Sequence, residues 1–142
     1  PLEAWIDGAC EPVNPGGTAS YGVVVKQRNE IILREAGVVG SGAKMSNNVA
    51  EYCAVIALLE WCKTNNISSR ITVHSDSRLL IKQMSGKWKT KKPKGLYSTF
   101  FQKALSLLVQ LGQKRFRFQW IPSSKNIEAD RLSKQVLSFP KS

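Results

Sequence analysis

Aspartate occurs only three times in this chain of 142 residues, at Asp7, Asp76 and Asp130, and none of the three reads as a solvent-facing decoration. Asp7 sits inside AWIDGAC, a run that otherwise has the composition of an apolar strand. Asp76 ends the apolar run in ITVHSDS. Asp130 lies in EADRLSK near the start of the last helical pattern, and Glu51 falls in the first turns of the first long one. A carboxylate inside a strand loses hydration and persists only with a hydrogen-bond set, a cation or a metal. Oxygen donors from a strand interior, a strand end and two helix starts would form the kind of pocket that holds Mg²⁺. Local explanations compete with this one. Glu51 and Asp130 could favour helix N-termini, which stabilise negative charge, and Asp76 could cap the helix that follows it. Asp7 has no such explanation, because no helix follows it and Gly8 offers only a local turn. Spacing alone does not establish that the four converge.

The elements that must position these residues show as changes of period. Leu2 to Ala9 reads as a strand, followed by the turn formers from Glu11 to Gly17; Tyr21 to Lys26 and Ile31 to Val39 read as two more, giving an antiparallel meander. From Asn47, steps of three and four place Val49, Tyr52, Cys53, Ile56 and Leu59 on one helical face. Ser46 or Asn47 can cap this helix, and Asn65-Asn66 ends it. Arg70 to Ser75 is a fourth strand, with a short helix from Ser77 to about Met84 and another from about Tyr97 to Leu111. Lys114 to Ile121 largely alternates, as a half-buried strand does, and a final helix runs from about Asn126 to Leu137. The order βββ-α-β-α-α-β-α predicts an α/β fold: a five-stranded mixed sheet with helices on both faces, in one domain spanning residues 1–142.

Composition narrows the class. Lys and Arg number 21 against 10 Asp and Glu, a net charge of +11, which is the electrostatic footprint of a protein that meets polyanions. Five lysines crowd GKWKTKKPKG around Trp88, a mixture suited to phosphate contact and stacking, although a solvated basic loop has the same composition. Basic residues interrupt every apolar run, so no segment reads as a membrane span. The three cysteines, Cys10, Cys53 and Cys62, cannot all pair and match no zinc spacing, which suits a reducing cytoplasm. The chain opens at Pro1 with neither a methionine nor a signal-peptide pattern, the expected appearance of a processed or excised piece. Nothing in it demands a partner subunit, and a monomer is expected.

Four short motifs together resemble type 1 ribonuclease H: D-G-A-C-E-P-x-N-P-G-G from Asp7 to Gly17, S-N-N-V-A-E-Y from Ser46 to Tyr52, H-S-D-S from His74 to Ser77, and N-I-E-A-D-R-L-S from Asn126 to Ser133. The resemblance covers Leu2 to about Leu137, in the family order and on the expected elements. It implies an endonuclease that hydrolyses the RNA strand of an RNA/DNA hybrid, leaving 5′-phosphate and 3′-hydroxyl ends. The same resemblance implies two Mg²⁺ ions, for which Mn²⁺ can substitute, held by Asp7, Glu51, Asp76 and Asp130. Ser75 and Ser77 stand where hydroxyls could support the ligands. Ser46, Asn47 and Asn48, with Asn14 and the backbone of Gly16, are implied contacts to the hybrid, and Lys87, Trp88, Lys89, Thr90 and Lys91 to its DNA strand. Helix capping is the competing account of Asn47 and Asn48.

The chain departs from the family pattern in three places. The loop Ile121 to Asn126 has no histidine before the last aspartate, and Ser123, Ser124 and Lys125 occupy it. His74, the only histidine, reads as a packed or hydrogen-bonded strand residue. Arg78 stands where relatives often carry a substrate-touching Gln, and its role is open. Only twelve positions separate Asp76 from Trp88, which leaves no room for the extra helix and basic protrusion of some relatives. Two other readings compete: a catalytically silent nucleic-acid-binding module, and a nuclease of the same scaffold acting on another substrate, as integrases and junction resolvases do.

Overall fold

The computed structural model describes residues 1–86 and 95–137. Three antiparallel strands open the chain: β1 (Leu2–Glu11), β2 (Thr18–Gln27) and β3 (Glu30–Ser41). They are followed by α1 (Asn47–Thr64), β4 (Ile71–Ser75), α2 (Arg78–Met84), α3 (Ser98–Leu111), β5 (Phe116–Trp120) and α4 (Ile127–Gln135). The sheet order is β3-β2-β1-β4-β5; β4 lies parallel to both β1 and β5. The expected mixed five-stranded sheet is therefore present. Lys87, Trp88, Lys89, Thr90 and Lys91 lie outside the described residues.

Cross-strand register assigns the faces. Directly opposite residues of antiparallel strands point the same way, so Gly8 and Tyr21 share one face while Asp7 and Gly22 share the other. Gly8 is covered by the α1 backbone and Gly22 by the α4 backbone, which puts the two helices on opposite sides of the sheet. The main core lies on the α1 side, where Ala4, Ile6, Val23, Val25, Ile71 and Val73 meet Tyr52, Val55, Leu59 and Leu108. Among the described residues no helix is long and apolar enough to cross a membrane.

Two elements differ from the sequence expectation. Helix α1 buries more than the anticipated stripe: Ala50, Ala54, Val55, Leu58 and Cys62 are also inside, because the sheet lies on one side of it and α3 on the other. Strand β5 starts later than expected, at Phe116, behind a 3-10 turn from Gln113 to Arg115. There the Arg115 guanidinium donates to the carbonyls of Ile67 (2.9 Å), Ser69 (3.0 Å) and Leu111 (3.1 Å). Those three bonds to backbone carbonyls hold the segment in a turn rather than in the ladder.

Candidate active site

Two glycines bring two helix starts onto Asp7. A Cβ on Gly8 would stand 2.5 Å from the Glu51 nitrogen and 2.7 Å from the Ala50 carbonyl carbon. Only a residue without a side chain lets α1 lie so close to β1 beside Asp7. Gly22, directly across from Asp7, plays the same part for α4: a Cβ there would stand 2.4 Å from the Ala129 carbonyl oxygen. That contact sets Asp130, the next residue, near enough to hydrogen bond the Asp7 side chain. Asp7 also accepts from the Gly8 N–H at 2.9 Å.

Asp76 enters from the end of β4. The ladder continues one step past the strand, with the Ile121 N–H donating to the Ser75 carbonyl at 2.9 Å. The indole N–H of Trp120 then donates to the Asp76 carbonyl at 3.1 Å. Ser77, not Asp76, caps α2, its hydroxyl accepting from the Leu80 N–H at 3.2 Å. The capping explanation of Asp76 therefore fails, and its carboxylate is left for the cleft. Buried Asn126 ties the parts together: its side-chain N–H donates to the Ile6 carbonyl at 2.9 Å, and its amide also hydrogen bonds the Asp76 carboxylate.

The electrostatics show three acids, Asp7, Glu51 and Asp76, with too little compensation. Burial, then the Asp76 charge, pushes the Asp7 carboxyl up to about 8 from an ordinary 3.8. Burial likewise pushes Glu51 to about 7; a hydrogen bond with Ser77 only partly offsets it, and the Asp76 charge raises it further. Asp76 is raised by burial, opposed by the Asn126 hydrogen bond. Glu51 Oε2 is buried with no hydrogen-bond partner among the described residues, a costly state for a carboxylate oxygen. Lys134 pairs with Asp130 at 3.3 Å. Among the described residues no three of these side chains stand close enough together to form a finished ligand cage, so the oxygen-rich pocket expected from the sequence is not closed here. A hard divalent cation suits this donor set, since it would pair the orphaned Glu51 oxygen and remove the mutual repulsion. A separate cavity of about 540 Å³, lined by Tyr21, Cys53, Trp61 and Phe100 among others, contains none of the four carboxylates.

The expected hybrid contacts on the described residues gather beside the acids. The turn after β1 is pinned to the entry of α1: the Asn47 N–H donates to Asn14 Oδ1 at 2.9 Å and the Gly16 N–H to the Met45 carbonyl at 2.9 Å. Ser46 caps α1, its hydroxyl accepting from the Val49 N–H at 3.2 Å. Capping thus does not occupy the amides of Asn47 and Asn48, which stand one turn before Glu51. His74 is buried, stacked on Trp5 with ring centroids 4.9 Å apart and 3.2 Å from Glu3, the packed strand residue anticipated. Lys125 is exposed on a short 3-10 turn before α4.

Sequence reasoning assigned no part to Asn126 or Trp120. Asn126 is visible as the first residue of the N-I-E-A-D motif, but its bonds run to Ile6 in β1, 120 positions earlier, and to Asp76 just past β4, and no spacing reveals them. Trp120 reads as one more ring in an alternating strand.

The RNase H family model matches residues 2–138. The bifunctional protein Rv2228c of Mycobacterium tuberculosis is 33% identical over 126 residues, covering 87% of this chain and 32% of that protein. Ribonuclease HI of Halobacterium salinarum is 31% identical over 136 residues, covering 96% of this chain and 64% of that one. The chain thus spans a third to under two thirds of these relatives. Among solved structures, RNase H1 from Halobacterium salinarum superposes with a TM-score of 0.77 at 28% identity, covering 96% of both chains. LC11-RNase H1 in complex with an RNA/DNA hybrid gives 0.80 at 27% identity, covering 97% of this chain and all of that one. With its four motifs, its sheet order and these likenesses to type 1 enzymes, the chain belongs to the RNase H family.

Proposed function

We propose that this chain is a metal-dependent endonuclease that hydrolyses the RNA strand of RNA/DNA hybrids, leaving 5′-phosphate and 3′-hydroxyl ends. The observation that carries the reading is the set of under-compensated carboxylates of Asp7, Glu51 and Asp76, with Asp130 beside Asp7, on a chain of net charge +11. A nucleic-acid binder would gain nothing from four acids facing a polyanion. The hybrid-bound relative supports the choice of substrate.

Asp7, Glu51, Asp76 and Asp130 would hold two Mg²⁺ ions, or Mn²⁺ in their place. Bound there, the ions would activate a water on one side of the scissile phosphate and stabilise the leaving oxygen on the other. The protein's part is placement. Asn126 and Ser77 orient the Asp76 and Glu51 carboxylates through the hydrogen bonds described above. Asn47 and Asn48 offer amides to base edges and 2′-hydroxyls in the minor groove of the hybrid, and Asn14 and the Gly16 turn lie beside them. Lys87, Trp88, Lys89, Thr90 and Lys91 would meet the DNA strand, and the domain would act as a monomer.

The test is a cleavage panel of labelled RNA/DNA hybrid, double-stranded RNA, single-stranded RNA and duplex DNA, each with Mg²⁺, Mn²⁺ or EDTA. Cutting confined to the RNA of the hybrid, and abolished by EDTA, is expected. Cleavage of duplex DNA with the hybrid spared would overturn the proposal.

A further inference from the structure

Arg78 opens α2 two residues after Asp76, and its guanidinium carbon lies 3.9 Å from the centroid of the Trp120 ring. The same indole donates its N–H to the Asp76 carbonyl at 3.1 Å. Trp120 therefore grips the Asp76 to Arg78 segment twice, once through a hydrogen bond and once through a cation–π stack. An arginine two residues from a cleft carboxylate can pair with it. Among the described residues Arg78 forms no ion pair, and Asp130 is paired with Lys134 instead. The ring holds one face of the guanidinium and leaves its edge N–H groups unspent. A flat fork of donors, oriented by the ring and without an ion pair among the described residues, has the geometry for bidentate contact with a phosphate. On a solvent-exposed side chain such a stack is weak but sufficient to bias the orientation of the guanidinium.

We infer that Trp120 and Arg78 form a clamp for a backbone phosphate of the hybrid at the edge of the carboxylate cleft, with Trp120 the positioning residue for both Arg78 and Asp76. This inference rests on the nuclease reading, since it takes the hybrid as the ligand. It divides the labour of one side chain: the indole ring serves substrate affinity through Arg78, and the indole N–H serves the chemistry through Asp76.

The experiment measures binding of a labelled RNA/DNA hybrid to the full chain in EDTA across a KCl series, so that no turnover contributes. Arg78→Ala is expected to weaken binding roughly fivefold and to lower the slope of log affinity against log salt by about one, the signature of a lost phosphate contact. Arg78→Lys keeps the charge without the fork and should recover only part of the affinity. Trp120→Leu should cost about as much as Arg78→Ala, and the two together little more than either alone, because the residues act as a unit. Trp120→Phe keeps a ring for the stack but not the N–H. It should bind the hybrid nearly as well as the native chain, yet need several times more Mg²⁺ for half-maximal cleavage. Arg78→Ala with unchanged affinity and salt slope, or losses from Arg78→Ala and Trp120→Leu that multiply in the double variant, would overturn the clamp. A native chain that binds hybrid no better than duplex DNA would instead overturn the nuclease reading beneath it.

Discussion

A methyl group in place of the Gly8 hydrogen would stand 2.5 Å from the backbone nitrogen of Glu51. The neighbour is helix backbone, which cannot swing aside as a flexible side chain can. Gly8→Ala is therefore expected to lose about 1–3 kcal/mol in urea unfolding. Because the strain pushes the start of α1 away from Asp7, Mg²⁺ affinity should fall as well, measured by calorimetric titration. Full stability with native Mg²⁺ affinity would mean that this close approach does not set Glu51.

In the absence of metal the acid cluster should destabilise the fold above mildly acidic pH. The folded values of Asp7 (about 8) and Glu51 (about 7) lie above their ordinary values of 3.8 and 4.5. The folded chain then binds protons more tightly than the unfolded chain, so the stability these groups contribute is present below about pH 4 and is lost as pH rises towards 8. Thermal unfolding in EDTA should show this decline, and Asp7→Asn should remove part of it, gaining about 1–3 kcal/mol at pH 8. Adding Mg²⁺ at pH 8 should restore the native chain and leave Asp7→Asn nearly unmoved. Native stability that rises from pH 5 to 8 in EDTA, with no gain in the variant, would contradict this account.

A polar chain crosses the core behind Glu51. The Tyr52 hydroxyl donates to the Gln83 side-chain carbonyl, the Gln83 amide donates to the Tyr97 hydroxyl at 3.2 Å, and the two tyrosine rings stack 5.6 Å apart. Tyr52→Phe leaves the buried Gln83 oxygen without its donor, for an expected loss of about 1–3 kcal/mol. The ring and its packing remain, so hybrid affinity in EDTA should hold. A neutral effect on urea unfolding would show that Gln83 finds another partner.

Burial pushes the thiols of Cys53 and Cys62 up to about 11. At pH 8 both are almost wholly protonated, and the thiolate is the reactive form. Native protein should react with a thiol-specific chromogen more than tenfold slower than protein unfolded in urea. Fast labelling of the folded chain would require these side chains to be more open than described.

Much of the fold was legible because its elements carry strong periods and clear breaks. The βββ meander, the capping Ser46 and the helix after it follow from local chemistry. Asp7 stood out for the opposite reason, being unexplained by anything local. The bounds of β5 were missed because Arg115 is held by carbonyls more than forty positions earlier. The approach of Glu51 and Asp130 to Asp7 was equally hidden, since it depends on Gly8 and Gly22 each admitting a helix to within a van der Waals contact. A glycine in a strand reads as a weakness until the opposing backbone is seen. Asn126 and Trp120 act through contacts with residues far away in sequence, and nothing in their own segments reveals those partners.

The most direct measurement compares Asp76→Asn with the native chain on a labelled RNA/DNA hybrid, recording cleavage in Mg²⁺ and binding in EDTA. The side chain keeps its size while losing the charge that draws the cation. Cleavage should fall at least a thousandfold, as when a group central to transition-state stabilisation is removed, while hybrid binding and fold are retained. Cleavage within a few-fold of native would contradict the assignment of this carboxylate to a metal-dependent nuclease site.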